Sequence, residues 1–204
     1  MSSKAVVLSR ADFKKYVLGI VSIVVVILVI VSATYFEYKS SPTSEEDLKL
    51  QLRRYEELKR MGAKVLNVPF VRQRPWFCSE ASASMVLRFY GFNVTQDDVS
   101  KAGYTCFEDM LPFLRRYLQC EYAILTLDDL RREIDLGRPV IIRILPGQYL
   151  HTVVVVGYND NYFYLHDPAI NPYVKVDESK LLSVWKATKC KAIVIRGSRK
   201  YQNP

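Results

Sequence analysis

The chain has 204 residues, half of them apolar, and its 29 basic residues outweigh 21 acidic ones to give a net charge of +8. Once an apolar N-terminal run is set aside, the length suits one soluble domain with a good core. The charge is moderate and comes with no nucleic-acid motif, so no nucleic-acid partner is expected. The four cysteines show no CxxC-type spacing, so no metal or other cofactor is expected.

In chain order, residues 1–16 form a basic N-terminus carrying Lys4, Arg10, Lys14 and Lys15. Val17–Phe36 follows without a single charge. About twenty residues at ~1.5 Å each cross the hydrocarbon core of a bilayer, which makes this run a transmembrane anchor. The basic flank stays in the cytoplasm, so the remainder of a single-pass chain is expected outside. A cleaved signal peptide, yielding a secreted protein, is the competing reading, because Val31-Ser32-Ala33 offers small residues for cleavage. The length of the uncharged run favours the anchor.

Residues 37–63 read as a linker and an amphipathic helix. Ser40–Ser44 is a spacer. Glu45–Met61 follows with Leu48, Leu52, Tyr55 and Leu58 on one face, Ser44 as cap and Gly62 as stop. The domain proper spans 64–197, with 198–204 as a tail. It opens on an extended segment, Lys64–Phe70. A helix then starts at Cys78 and ends at Gly91. Further helices are predicted over Thr95–Ala102, Cys106–Leu118 and Leu127–Leu136, with Thr95 as an N-cap. Strands are predicted at Pro139–Leu145, Thr152–Tyr158 and Tyr162–His166. A helix near Glu178–Trp185 precedes a strand at Lys191–Arg196. Helices first and antiparallel strands after them make an α+β fold. The basic pairs Arg53-Arg54, Arg115-Arg116 and Arg131-Arg132 read as solvated helix faces.

Four residues carry the chemistry. Only a thiolate attacks a carbonyl carbon, and a helix N-terminus favours the anion. Cys78 stands at such a start. His151 opens a Val-rich strand and suits the base that takes the thiol proton. Asp167 ends the alternating run Tyr162–His166 and suits the carboxylate that fixes the imidazole tautomer. Gln73 lies five residues before Cys78. Its side-chain N–H, with the Cys78 backbone N–H, suits an oxyanion. Each residue alone has a plainer reading. Cys78 is then a small buried hydrophobe, His151 a core or edge histidine, and Asp167 a turn former before Pro168. The joint order, spacing and local structure favour the catalytic reading. His166 is expected to point away from the site, because neighbours in a strand face opposite ways. Trp76 and Phe77 read as core or rim packing.

At these positions the chain resembles the bacteriocin-processing, double-glycine leader peptidases and their stand-alone relatives, a branch of the papain-like cysteine peptidases. The residues that carry the resemblance are VPFVRQ, CSEASASMVLRFYG, HTVVVVGY and HDP, within about Lys64–Gly197. It implies a papain-like fold, with a helix-borne Cys78 as nucleophile packed on an antiparallel sheet. It also implies His151 as base, Asp167 as orienter, Gln73 as oxyanion donor, and a peptide or protein substrate. One departure stands out: many relatives have Gly-Pro after the Cys, whereas this chain has Ser79-Glu80. The expected function is a membrane-anchored cysteine peptidase acting outside the cell. An amidase, peptidoglycan hydrolase or peptidyl transferase would use the same site. A non-catalytic peptide-binding domain would need none of the four residues intact.

If Cys78 is a thiolate, at most one bridge forms among Cys106, Cys120 and Cys190. Cys106 and Cys120 bracket a predicted helix, about 20 Å apart at ~1.5 Å per residue. Cys120 and Cys190 each begin a predicted strand and form the better candidate pair. Two buried thiols are the alternative. Asn93-Val94-Thr95 is a glycosylation triplet suited to an outside loop.

Overall fold

The computed structural model describes residues 10–39, 43–103 and 107–198. It divides into two units, residues 1–41 and 42–204. The first contains one helix, α1 (Arg10–Lys39), and its described side chains, Val17–Ser32, are all exposed. Among the described residues no helix is long and apolar enough to cross a membrane. Side chains are described over only part of the expected span, Val17–Phe36.

The second unit is built on the Val-rich run. A strand with one solvated face alternates apolar and polar residues, whereas one covered on both faces does not. In β4 (His151–Asn159) every residue from Thr152 to Val156 is buried, as is Gly157. Val154 and Val156 pack with Ala81, Met85 and Phe70 on one face. Val153 and Val155 pack with Leu130, Ile134, Leu181 and Trp185 on the other. The sheet has seven strands, and every pairing is antiparallel. The strands are β1 (Lys64–Val65), β2 (Leu118–Ile124), β3 (Val140–Ile144), β4, β5 (Tyr162–Asp167), β6 (Asn171–Asp177) and β7 (Lys191–Ser198). Their order is β2-β7-β3-β4-β5-β6, with β1 against β4. The helices are α2 (Glu45–Arg60), α3 (Cys78–Phe89), α4 (Gln96–Ser100), α5 (Met110–Leu114), α6 (Leu127–Asp135) and α7 (Glu178–Lys186). Capping boxes start α2 at Ser44, α4 at Thr95 and α6 at Thr126, each satisfying backbone donors left open by the first turn.

The α+β arrangement and its antiparallel sheet agree with the expectation, and four details differ. Only the C-terminal half of the expected α2 face is buried: Tyr55 and Leu58 pack against the core, whereas in the N-terminal half polar groups are buried in place of the leucines. Asp47 and Gln51 are buried, whereas Leu48 and Leu52 are 47% and 56% exposed. Asp47 pairs with Arg72 at 2.5 Å. Gln51 donates to Val68 O at 2.9 Å and accepts from Phe70 N–H at 2.9 Å. These bonds pin the segment that leads to Gln73. Second, the helix expected over Cys106–Leu118 is described only as α5, because Leu118 already opens β2; Cys106 lies outside the described residues. Third, β6 is a strand where none is predicted, and it carries Pro172. Proline is tolerated there because β6 is the sheet edge. Finally, Cys120 and Cys190 do not form the candidate bridge. Antiparallel pairing places Cys120 opposite Ile195 and Ile124 opposite Lys191, so the two strand starts sit at opposite ends of the β2–β7 ladder.

Gly157 marks a close approach. β1 pairs with β4 there, Val65 facing Gly157. A Cβ on Gly157 would lie 2.6 Å from the Lys64 carbonyl oxygen and 2.5 Å from Val65 Cγ1.

Candidate active site

Two strand ends and one helix start meet at one end of the sheet. His151 is the first residue of β4 and Asp167 the last of β5. In an antiparallel pair the start of one strand lies beside the end of the other. His151 Nε2 and Asp167 Oδ1 are 2.8 Å apart, with side chains 16% and 11% exposed. Asp167 Oδ1 also accepts from the Ala169 N–H at 2.9 Å. The other ring nitrogen, Nδ1, is not used by Asp167, and Cys78 lies close enough to His151 for the two to interact electrostatically.

Cys78 is the first residue of α3, and its N-cap, Phe77, makes no side-chain capping bond. No capping side chain competes with the sulfur for the N-terminal field of the helix. Burial pushes the Cys78 thiol up, but the hydrogen bond and charge of His151, a backbone hydrogen bond from Thr152 and the charge of Arg143 bring it below its ordinary value. Burial opposes charge on His151 too. The bonds and charges of Asp167 and Cys78 outweigh it and raise the imidazole to about 9. At neutral pH this geometry favours a thiolate facing an imidazolium.

The model of the Peptidase_C39 like family matches residues 65–193, most of the chain, including Gln73, Cys78, His151 and Asp167. The chain belongs to the peptidase C39-like family. As a member it is a cysteine peptidase. No curated protein matches it. A putative C39-like peptidase from Bacillus anthracis superposes with TM-score 0.59 at 19% identity, covering 65% of this chain and 96% of its own. A double glycine motif protease from an AMS/PCAT transporter, in complex with the leader peptide, gives 0.52 at 22% identity, covering 65% and 94%. The peptidase domain of Streptococcus ComA, a bi-functional ABC transporter involved in quorum sensing, gives 0.50 at 21% identity, covering 63% and 95%. These three likenesses establish a shared C39 peptidase fold.

Gln73 lies in the same cleft as Cys78, His151 and Asp167. Its backbone N–H donates to Pro168 O at 2.9 Å, which ties the approach to Cys78 to the residue after Asp167. Its side-chain Oε1 is buried without a partner, so the amide is not committed to another part of the fold. The chain's second histidine, His166, is elsewhere. It is fully buried, its Nε2 bonds Val68 O at 2.8 Å, and its Nδ1 accepts from the Tyr173 N–H at 3.1 Å. Burial lowers its pKa to about 4, against one raising bond to Val68. It is a neutral fastener of the segment before Gln73.

The cleft holds about 570 Å³. Trp76 and Tyr149 stand on its rim, 80% and 70% exposed, with ring centroids 6.0 Å apart. Trp76 is thus on the rim and not in the core; its φ of 70° is an unusual backbone state for an aromatic residue, of a kind that clusters at functional sites. A polar group missed in the sequence lies behind Cys78. Arg143 Nη1 donates to Thr152 Oγ1 at 2.7 Å and to Ser79 Oγ at 3.0 Å, and those two hydroxyls are 2.9 Å apart. The legible signal was a lone arginine inside the apolar strand PVIIRIL.

Proposed function

We propose that this peptidase is anchored to a membrane by Val17–Phe36 and hydrolyses peptide bonds outside the cell by a Cys78–His151–Asp167 mechanism. The observation that carries the mechanism is the placement of His151, bonded through Nε2 to Asp167 and interacting with a thiol at a helix start. The Cys78 thiolate attacks the scissile carbonyl carbon. The oxyanion that forms accepts hydrogen bonds from the Cys78 backbone N–H and the Gln73 side chain. His151 gives its proton to the departing amine, leaving a thioester on Cys78. His151 then takes a proton from water, which attacks the thioester, and the thiol leaves as the acid product forms. Asp167 holds the ring and its charge throughout.

The peptide nature of the substrate is supported by the leader peptide bound to the double glycine motif protease. The anchor and the outside location rest on the uncharged run and its basic flank. Limiting alkylation with an iodoacetamide probe, followed by peptide mapping, should label Cys78 ahead of the other three cysteines. Preferential labelling of Cys190 or Cys120 would remove the nucleophile assignment. The domain should sediment with membranes and be shed by protease added to intact cells. Soluble protein starting at Thr34 would indicate signal cleavage instead.

A further inference from the structure

Arg143 is placed to do more than brace Ser79 and Thr152. It lies in β3 opposite Thr152, one residue from Ile144, which faces His151. Its neighbours Ile142 and Ile144 pack into one side of the sheet. Arg143 turns to the other side, where α3 and Cys78 sit. Among the described residues only Nη1 makes hydrogen bonds. Nε and Nη2 have no described partner and are not among the buried polar atoms lacking one, and Arg143 lines the cleft. No described carboxylate forms an ion pair with this guanidinium.

The cleft does not stop at Arg143. A second depression of about 370 Å³ shares Arg143 and Leu150 with it. Beyond those two residues its lining includes Lys189, Lys191 and Glu108 together with Phe107, Ala187 and Thr188. Lys191 pairs with Glu108 at 2.5 Å. Lys189 is exposed and joins no described ion pair. A peptide running from Cys78 past Leu150 therefore leaves the apolar rim and enters ground with two cations, Arg143 and Lys189, that join no described ion pair, while Glu80 lines the cleft on the Cys78 side.

We propose that Arg143 is a specificity-determining residue that takes a substrate carboxylate, with Lys189 adding to the field, so that the enzyme prefers peptides acidic near the scissile bond. The fork of Nε and Nη2 matches the two oxygens of a carboxylate, and charge-assisted bonds of that kind are strong where water is partly excluded. The carboxylate comes either from an Asp or Glu side chain or from the end of the peptide chain. This preference builds on the peptidase reading, but the binding it predicts does not need turnover.

The experiment uses acetylated, amidated octapeptides that differ only in where one Glu stands, a matching Gln set, and the Gln set with a free C-terminal carboxylate. Binding is measured on the Cys78→Ala chain, and kcat/KM on the native chain. At one or two positions Glu should bind and turn over about tenfold better than Gln, as one charge-assisted contact warrants. A gain confined to the peptides with a free end would assign the chain terminus as the ligand. Arg143→Gln, made in both backgrounds, should erase the difference, and Arg143→Lys should keep part of it. A purely bracing arginine would lower all peptides together and leave the Glu-to-Gln ratio unchanged, which would overturn the proposal. So would equal binding of every Glu and Gln pair by the Cys78→Ala chain, an outcome that holds even if the Arg143 variants fail to fold. If Glu peptides bind selectively but none is cleaved by the native chain, the peptidase reading fails and the carboxylate site stands.

Discussion

Asp167→Asn isolates the charge of the orienter from its hydrogen bonds. In the native chain a single oxygen, Oδ1, serves both His151 Nε2 at 2.8 Å and the Ala169 N–H at 2.9 Å. An asparagine carbonyl in that place still accepts both bonds, so the ring keeps its orientation and tautomer. What goes is the negative charge. In the proposed mechanism the reactive form requires a deprotonated Cys78 and a protonated His151. Activity is therefore lost at low pH as the thiolate takes a proton, and at high pH as His151 loses its own. His151 titrates at about 9, burial opposing its charge and Asp167 supplying the first of the favourable contributions. The pair is poorly screened, its side chains being 16% and 11% exposed. An opposite charge at such range moves a titration by about 1–3 pH units, so the basic limb should fall from about 9 by that amount in Asp167→Asn. The acid limb should rise, because a weaker imidazolium stabilises the thiolate less. Asp167→Ala should lower the plateau further, since it removes the acceptor and frees the ring. The assay is kcat/KM for one peptide from acid to alkaline pH, with circular dichroism on each variant. A basic limb that stays near 9 in Asp167→Asn would refute the reasoning, and full activity in Asp167→Ala would reduce Asp167 to a turn residue.

Gln73→Ala should lower kcat by about a hundredfold or more with little change in KM, as expected for loss of one oxyanion donor; equal binding and chemistry losses would count against that role. His166 is neutral in the fold, burial holding it at about 4 against the ordinary 6.5. The unfolded chain then binds more protons between those values, so stability is complete above pH 6.5 and declines as pH falls through about 4, by about 3 kcal/mol in all. Urea unfolding of the native chain and His166→Leu across this range should show that dependence only in the former. Gly157→Ala should cost about 1–3 kcal/mol of stability, read as a lower urea midpoint, because the new methyl meets the Lys64 carbonyl; an unchanged midpoint would show that β1 yields easily.

What was legible in the sequence was whatever repeats locally. The Val run of β4, the capping hydroxyls of Thr95 and Ser44, and the glycine stop of α3 all have a short-range signature. So did the strand alternation that turned His166 away from the site. Tertiary polar pairing has none. The face of α2 is legible only in part: hydrophobic spacing marks Tyr55 and Leu58, which pack on the core, but carries no sign of the Asp47–Arg72 pair, which joins residues far apart in the chain. The strand β6 carries Pro172, which is tolerated through its place at the sheet edge, a tertiary fact with no local signature. Arg143 was passed over because a charge in an apolar strand acquires meaning only from Ser79 and Thr152, which lie on other elements.

The run of small residues after Cys78 acquires its reason from the same three-way contact. His151 and Asp167 are brought together by one strand pair, β4 and β5. Cys78 arrives from a separate layer, so its helix must come close to β4. Ser79, Ala81, Ser82, Ala83 and Ser84 are buried, and side chains no larger permit the approach. The serines also fasten it: Ser82 Oγ donates to Thr152 O at 3.2 Å, Ser84 Oγ donates to Val94 O at 2.7 Å, and Ser79 Oγ shares Thr152 Oγ1 with Arg143. Buried hydroxyls with partners cost little, and each bond removes a way for α3 to slide. A glycine at position 79 would permit the same approach but offer no hydroxyl for Arg143 to bind. The Ser79 hydroxyl orients Arg143 through Nη1 and leaves the rest of the guanidinium turned to the cleft where Cys78 acts.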